Sequence, residues 1–270
     1  MPELPEVETI ARQLAPLVSG QQVRRLEIVD AKLASNGLKL LSKCRIRQVM
    51  RLGKQIVFEL AGRKGRPLWL AVHLRMSGRL LWVPDAHRGS AEQRYVRARI
   101  VLDRGALVLD DPRRFAVLTV SRSSDDIAPA GLDPLCGELT SRRLAGLLGG
   151  SPQPLKLWLL RQDRLSGIGN IYASEILFAA CLHPRRAAGS LSADEAARLH
   201  RAVRHVLRKA IAHCGTTFSD FLDARGREGG FGRFLKVYGR GGQPCLSCGT
   251  LIEREVQGGR STYFCPGCQR

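Results

Sequence analysis

Four of the eight cysteines fall in the last 26 residues, as Cys245-x2-Cys248 and Cys265-x2-Cys268 with 16 residues between the pairs. No other feature constrains the fold as strongly. The spacing is that of a four-cysteine zinc site, in which two tight turns each offer two thiolates to one tetrahedral ion and a β-hairpin joins them. Gly249 and Gly267 stand where a turn around sulfur favours a residue without Cβ. Two disulfides are the competing reading, and they belong to an oxidising compartment. The leading MPELPEVETI is acidic and lacks the basic flank and apolar core of a secretory signal, so a cytoplasmic setting and a bound metal are expected instead. Four thiolates leave no position for water, so the expectation is one structural Zn2+. Cys44, Cys136, Cys181 and Cys214 are scattered among apolar residues and are expected to be small buried hydrophobes.

Charge narrows the partner. Lys and Arg number 43 against 24 Asp and Glu, a net charge of +19. Such an excess favours a polyanion, nucleic acid or anionic membrane. The membrane option weakens because no apolar run reaches the ~18 residues that a spanning helix needs. At 270 residues the chain is long enough for two domains with cores of their own.

Hydrophobic periodicity divides the chain. Residues 5 to 17 read as a helix, with Pro5 in its first turn and Val7, Ile10, Ala11, Leu14 and Leu17 on one face. From about 22 to 120 the pattern changes to eight short β-type runs, at 23–29, 46–50, 55–60, 68–74, 80–83, 96–102, 106–109 and 116–120. Turn signals separate several of them, one over 62–67, and the set predicts an antiparallel sandwich. The Ser, Asp, Pro and Gly of 123–135 read as a linker. Helices follow at 139–148, 154–163, 170–181 and 193–214, the last capped by Ser192 with Glu195. The expected division is 1–122, a β-sandwich; 136–242, a helical domain with a Gly-rich loop at 216–234; and 243–270, the finger. The fold class is α+β.

Chemistry could begin at Pro2. A small penultimate residue permits loss of Met1, and a freed secondary amine can attack an electrophilic carbon to give an iminium directly. Glu3 beside it could shuttle protons. On these residues alone the plainer reading is a helix start with acids at its positive end.

A resemblance decides between them. Pro2 to Thr9 (PELPEVET), Leu52-Gly53-Lys54, His73 to Gly78 (HLRMSG), Asp111 to Phe115 (DPRRF), Gly167 to Glu175 (GIGNIYASE) and the four-cysteine finger resemble, in the same order, the bacterial formamidopyrimidine-DNA glycosylase family. That resemblance implies Pro2 as the nucleophile at the deoxyribose C1′ of an oxidised purine, Glu3 as general acid/base, and Lys54 as a lysine approaching the sugar-phosphate. It implies that Arg260 grips phosphate and assists δ-elimination. Met76 and Phe115 match wedge residues, and Arg113 matches a reader of the orphaned cytosine. Asn170 and Lys156 match contacts to the DNA backbone, within a helix–two-turn–helix motif. Where the family often has a DNA-contacting His, this chain has Tyr95-Val96-Arg97, and Arg97 is the candidate substitute. Arg75 stands at a usual Gly, and Ala116 at another. The 216–234 loop is expected to order over an everted base. The implied protein is a monomer acting near the nucleoid on double-stranded DNA with oxidised bases or abasic sites. Alternatives are an endonuclease VIII-like enzyme for oxidised pyrimidines and a non-catalytic zinc-finger DNA-binding protein.

Overall fold

The computed structural model describes residues 1–33, 37–62, 65–85, 95–218 and 220–270. The expected turn at 62–67 and the expected loop at 216–234 each contain positions outside the described residues, at 63–64 and 219. The described chain forms two compact units, Met1–Ala128 with His213–Gly230, and Pro129–Ala212 with Phe231–Arg270.

In the first unit a helix, α1 (Leu4–Val18), buries Leu4, Val7, Ile10, Leu14 and Val18. Eight strands follow: β1 (Val23–Ile28), β2 (Arg45–Leu52), β3 (Gln55–Ala61), β4 (Pro67–His73), β5 (Arg79–Val83), β6 (Val96–Leu102), β7 (Ala106–Asp110) and β8 (Val117–Ser121). They make two antiparallel four-stranded sheets, ordered β1-β6-β7-β5 and β2-β3-β4-β8. One apolar core joins both sheets to α1, with Val7, Ile10 and Leu14 packed among Ile46, Phe58, Leu70, Ile100 and Leu109. Each such side chain contributes roughly 1.5–3 kcal/mol on burial. This is the expected sandwich, with all eight strands where the sequence places them.

In the second unit lie α2 (Ser141–Leu148), α3 (Leu155–Leu159), α4 (Asn170–Ala179), α5 (Ala193–Ala212) and a hairpin of β9 (Glu253–Gln257) and β10 (Arg260–Phe264). The Ser192–Glu195 capping box opens α5: the Ser192 hydroxyl accepts from Glu195 N (3.2 Å) and the Glu195 carboxylate accepts from Ser192 N (2.9 Å). A small second core holds Val237, Ile252, Cys245 and Cys265, with Phe178 of α4 against it.

Three expectations need correction. The helix expected over 154–163 stops at Leu159, because the polar run after it makes a tighter bend: Arg161 pairs with Asp163, and the Gln162 side chain accepts from Gly167 N (2.9 Å). Of the four non-finger cysteines only Cys44 is buried. Cys181 and Cys214 lie beyond the ends of α4 and α5 in the left-handed region, at φ 55° and 60°; Leu182 N→Leu177 O and Cys181 N→Phe178 O close a Schellman turn. Finally, the segment His213–Gly230, expected within the helical domain, falls in the first compact unit. Local sequence could not show this, because the anchors are distant: Gln13 Nε2 donates to Asp223 (2.8 Å), and Trp82 N to Ala224 O (2.8 Å).

Candidate active site and metal centre

The N-terminus of α1 is held from both sides. Pro2 and Glu3 are buried, and Glu3 is the N-cap of a capping box in which its own amide donates to Glu6 Oε2 (2.8 Å). The other Glu6 oxygen accepts from Thr216 N (2.7 Å). At the adjacent Gly215 (φ +76°) a Cβ would stand 2.7 Å from Glu6 Oε1, so no larger residue fits there without moving that carboxylate. Glu6 therefore ties the Pro2–Glu3 segment to the start of the Gly-rich loop. Sequence reasoning placed Glu6 only as an acid near a helix dipole.

Lys54 sits in the turn between β2 and β3, which Gly53 makes possible at φ +58°. The next residue, Gln55, pairs with His73 across β3 and β4. His73 is a site residue that the sequence reading passed over. Burial first, then the positive charges of Arg75 and Lys54, hold its imidazole down at about 4. Its Nδ1 accepts from Arg75 N (3.0 Å), so the neutral ring carries its proton on Nε2 and can only donate there.

The residues expected to form a wedge, Met76 and Phe115 with Arg113, lie on two loops joined by one carboxylate. Asp111 is fully buried. Its oxygens accept from Ser77 Oγ (2.6 Å), Arg113 N (3.1 Å), Phe115 N (2.7 Å) and Ala116 N (2.8 Å). Burial raises its pKa, but these four donors outweigh burial and hold the carboxyl below its ordinary range. Met76, beside Ser77, is 46% exposed and Phe115 is 48% exposed. The Arg113 guanidinium lies over the Phe115 ring at 4.9 Å. Arg114 turns the other way, at φ +58°, in a two-point pair with Asp30 (2.6 and 2.6 Å). Asp110 accepts from Tyr95 N (2.7 Å), and Arg97 Nε donates to Asp111 O (2.7 Å). Arg97 thus braces the loop that carries Arg113. Arg75 has φ +56°, which accounts for a glycine being usual there.

In the second unit three sequence candidates converge on one peptide. Lys156 is fully buried, and its Nζ donates to Ser261 O (2.8 Å) and Thr262 Oγ1 (2.6 Å). Asn170, first residue of α4, donates from Nδ2 to the same Ser261 carbonyl (3.0 Å). Arg260, exposed at the start of β10, is thereby fixed through its neighbour. Lys156 holds the hairpin from inside and does not reach the surface. Gly258 and Gly259 form the hairpin's two-residue turn, both at positive φ. Glu175, also passed over by the sequence reading, accepts from the amides of Lys236, Val237 and Tyr238 (2.8–2.9 Å) while burial pushes its carboxyl up.

The four finger sulfurs lie within 4.8 Å of one another, with Cys248–Cys265 at 3.4 Å and Cys245–Cys268 at 3.9 Å. A tetrahedron with zinc–sulfur bonds of about 2.3 Å has edges of about 3.8 Å, so the set fits one Zn2+. Hydrogen bonding with Thr250 lowers the Cys248 thiol below its ordinary range, while the same sulfur cluster holds the Cys268 thiol up. A Cβ at Gly267 would stand 2.7 Å from Thr250 Oγ1 and 3.2 Å from Cys248 Sγ, which explains that glycine.

Among the described residues no helix is long and apolar enough to cross a membrane. Three family models match in succession: the formamidopyrimidine-DNA glycosylase N-terminal domain over residues 1–118, its H2TH domain over 130–221, and the zinc finger found in FPG and IleRS over 242–270. The formamidopyrimidine-DNA glycosylase of Carboxydothermus hydrogenoformans is 40% identical over 278 residues, covering 100% of both chains. The crystal structure of MutM (Fpg) from Thermus thermophilus superposes with a TM-score of 0.87 at 41% identity, covering 99% of this chain and 98% of that one. A Lactococcus lactis Fpg variant in complex with Fapy-dG-containing DNA gives 0.89 at 29% identity, over 100% of both chains. By sequence over its whole length and by fold, the chain belongs to the formamidopyrimidine-DNA glycosylase family.

Proposed function

We propose that the chain is a bifunctional DNA glycosylase/AP lyase of base excision repair, acting on double-stranded DNA to remove oxidised purines, chiefly 8-oxoguanine opposite cytosine and formamidopyrimidines. Its place is the cytoplasm, at the nucleoid. The observation that carries this reading is the Asp111 carboxylate, which holds Met76, Arg113 and Phe115 at the surface by four hydrogen bonds. Large apolar groups flanking an arginine suit a wedge that fills the gap left by an everted nucleotide and reads the base opposite.

The chemistry follows from the residues. With Met1 removed, the Pro2 nitrogen attacks C1′, the N-glycosidic bond breaks, the base leaves with the bonding pair, and the proton that the nitrogen carried passes to the departing base. The nitrogen lone pair then expels O4′, which takes a proton from Glu3, and an iminium remains. That iminium acidifies C2′, so loss of a C2′ proton expels the 3′ phosphate and a second elimination expels the 5′ phosphate. Lys54 and the Nε2–H of His73 stand at one end of the β3–β4 pair to meet the sugar-phosphate. Arg260 grips phosphate as a planar, permanently charged donor, with Lys156 and Asn170 as its positioning residues. The zinc supplies shape to the finger and takes no step in the reaction.

Release from duplexes carrying 8-oxoguanine:C, a formamidopyrimidine or an oxidised pyrimidine tests the assignment. The expected result is fastest release of the two purine lesions, with ends from both eliminations. Preference for the pyrimidine would move the chain to the endonuclease VIII-like class. DNA binding with no base release would make it a binding module.

A further inference from the structure

A cavity of about 610 Å3 opens in the first unit, lined by Lys39, Leu40, Arg66, Pro67, Leu68 and Arg122 among others. It lies apart from the residues assigned to catalysis. In the β3–β4 pair Gln55 meets His73 at one end and Ala61 meets Pro67 at the other. At about 3.4 Å per residue those ends are ~20 Å apart, with Lys54 at the first and the cavity at the second.

Its chemistry is unusual for a surface recess. Three cations converge from separate segments: Lys39 from a 3-10 turn (Leu38–Leu41), Arg66 from the entry to β4, and Arg122 from just after β8. No acid lines the cavity among the described residues, and within that set none of the three side chains has a carboxylate partner. Between them lie apolar groups, with Leu40 44% exposed at the mouth and Leu68 buried at 8%. Like charges gathered without a counter-charge repel one another, and an anion relieves that repulsion. A bare inorganic anion would meet the cations and leave the apolar floor wet. The volume is that of a small-molecule site, in which apolar lining supplies affinity and a few polar groups fix orientation.

We propose that this cavity is a second ligand site, selective for an amphiphilic organic anion: a carboxylate or sulfonate carried on an aliphatic or aromatic body. The probe is 8-anilinonaphthalene-1-sulfonate, titrated by fluorescence into the full-length, zinc-loaded protein. One saturable equivalent is expected, displaced by decanoate, and not displaced by inorganic phosphate at the same concentration or by duplex DNA. Arg66→Gln with Arg122→Gln should weaken the probe at least tenfold with unchanged far-UV circular dichroism. Leu40→Ser, which keeps all three charges, should weaken it severalfold. Binding unaltered in both variants, displacement by phosphate as readily as by decanoate, or competition with DNA would each overturn the assignment.

Discussion

The exposed loops of the first unit hang on buried carboxylates, whereas the hairpin of the second hangs on sulfur and a buried ammonium. Glu6 gathers the amides of Glu3 and Thr216, and Asp111 gathers those of Arg113, Phe115 and Ala116 with the Ser77 hydroxyl. In the second unit Glu175 repeats that device at 236–238, but Arg260 depends on Lys156, Asn170 and the four-thiol centre. A carboxylate hub fails when it is protonated, and a thiolate centre fails when its metal is withdrawn. The two regions should therefore be separable by different insults.

Metal removal should have the largest effect. A structural zinc contributes on the order of 10 kcal/mol to the fold it closes. Chelation, or Cys248→Ser, should lower duplex affinity by two orders of magnitude or more, while the β-sheet circular dichroism of the first unit persists. Joint loss of both would erase the distinction. Asp111→Asn comes next, since it replaces a charged acceptor of four donors by an amide that can turn only one oxygen toward them. We expect a loss of about 3 kcal/mol in urea unfolding, with cytosine discrimination lost at the same time. A variant as stable as the parent would show that the loops hold without the hub.

Acid should reach the first unit by two routes. Asp111 is held below the ordinary carboxylate range, so its contribution is present above that range and is lost as pH falls through it. His73 is held at about 4 against an ordinary 6.5, so its neutral ring stabilises the fold above 6.5 and that stability disappears as pH falls toward 4. The His73 part amounts to about 3 kcal/mol at most, and His73→Gln should flatten the stability profile between those values. A profile as steep in the variant as in the parent would remove His73 from the account. Arg75→Gly should have the smallest effect: relief of a left-handed backbone conformation balanced against glycine's greater freedom in the unfolded chain, a net gain of about 0.5–1 kcal/mol in thermal unfolding.

The sandwich strands were legible because short apolar runs punctuated by turn residues carry their own period, and the finger because thiol spacing is itself geometry. The start proposed as catalytic was legible as PELPEVET only through resemblance; composition alone left it a helix cap. Glu6 shows what stayed hidden. Its capping partner lies three residues away and is readable, but its second partner, Thr216, is 210 residues distant. Asp111 was quoted as part of a motif, yet its role as a fourfold acceptor depends on how two loops meet. Cys181 and Cys214 looked apolar by neighbourhood, and only the helix ends reveal their left-handed backbone.

The central claim is that the nitrogen of residue 2 becomes bonded to a sugar carbon. Borohydride reduction during turnover of a duplex containing 8-oxoguanine opposite cytosine, followed by peptide mapping, tests it most directly. The account predicts one covalent protein–DNA adduct at Pro2, mostly lost in Pro2→Gly. Base release at the normal rate by protein whose leading amine is blocked, with no adduct formed, would contradict it.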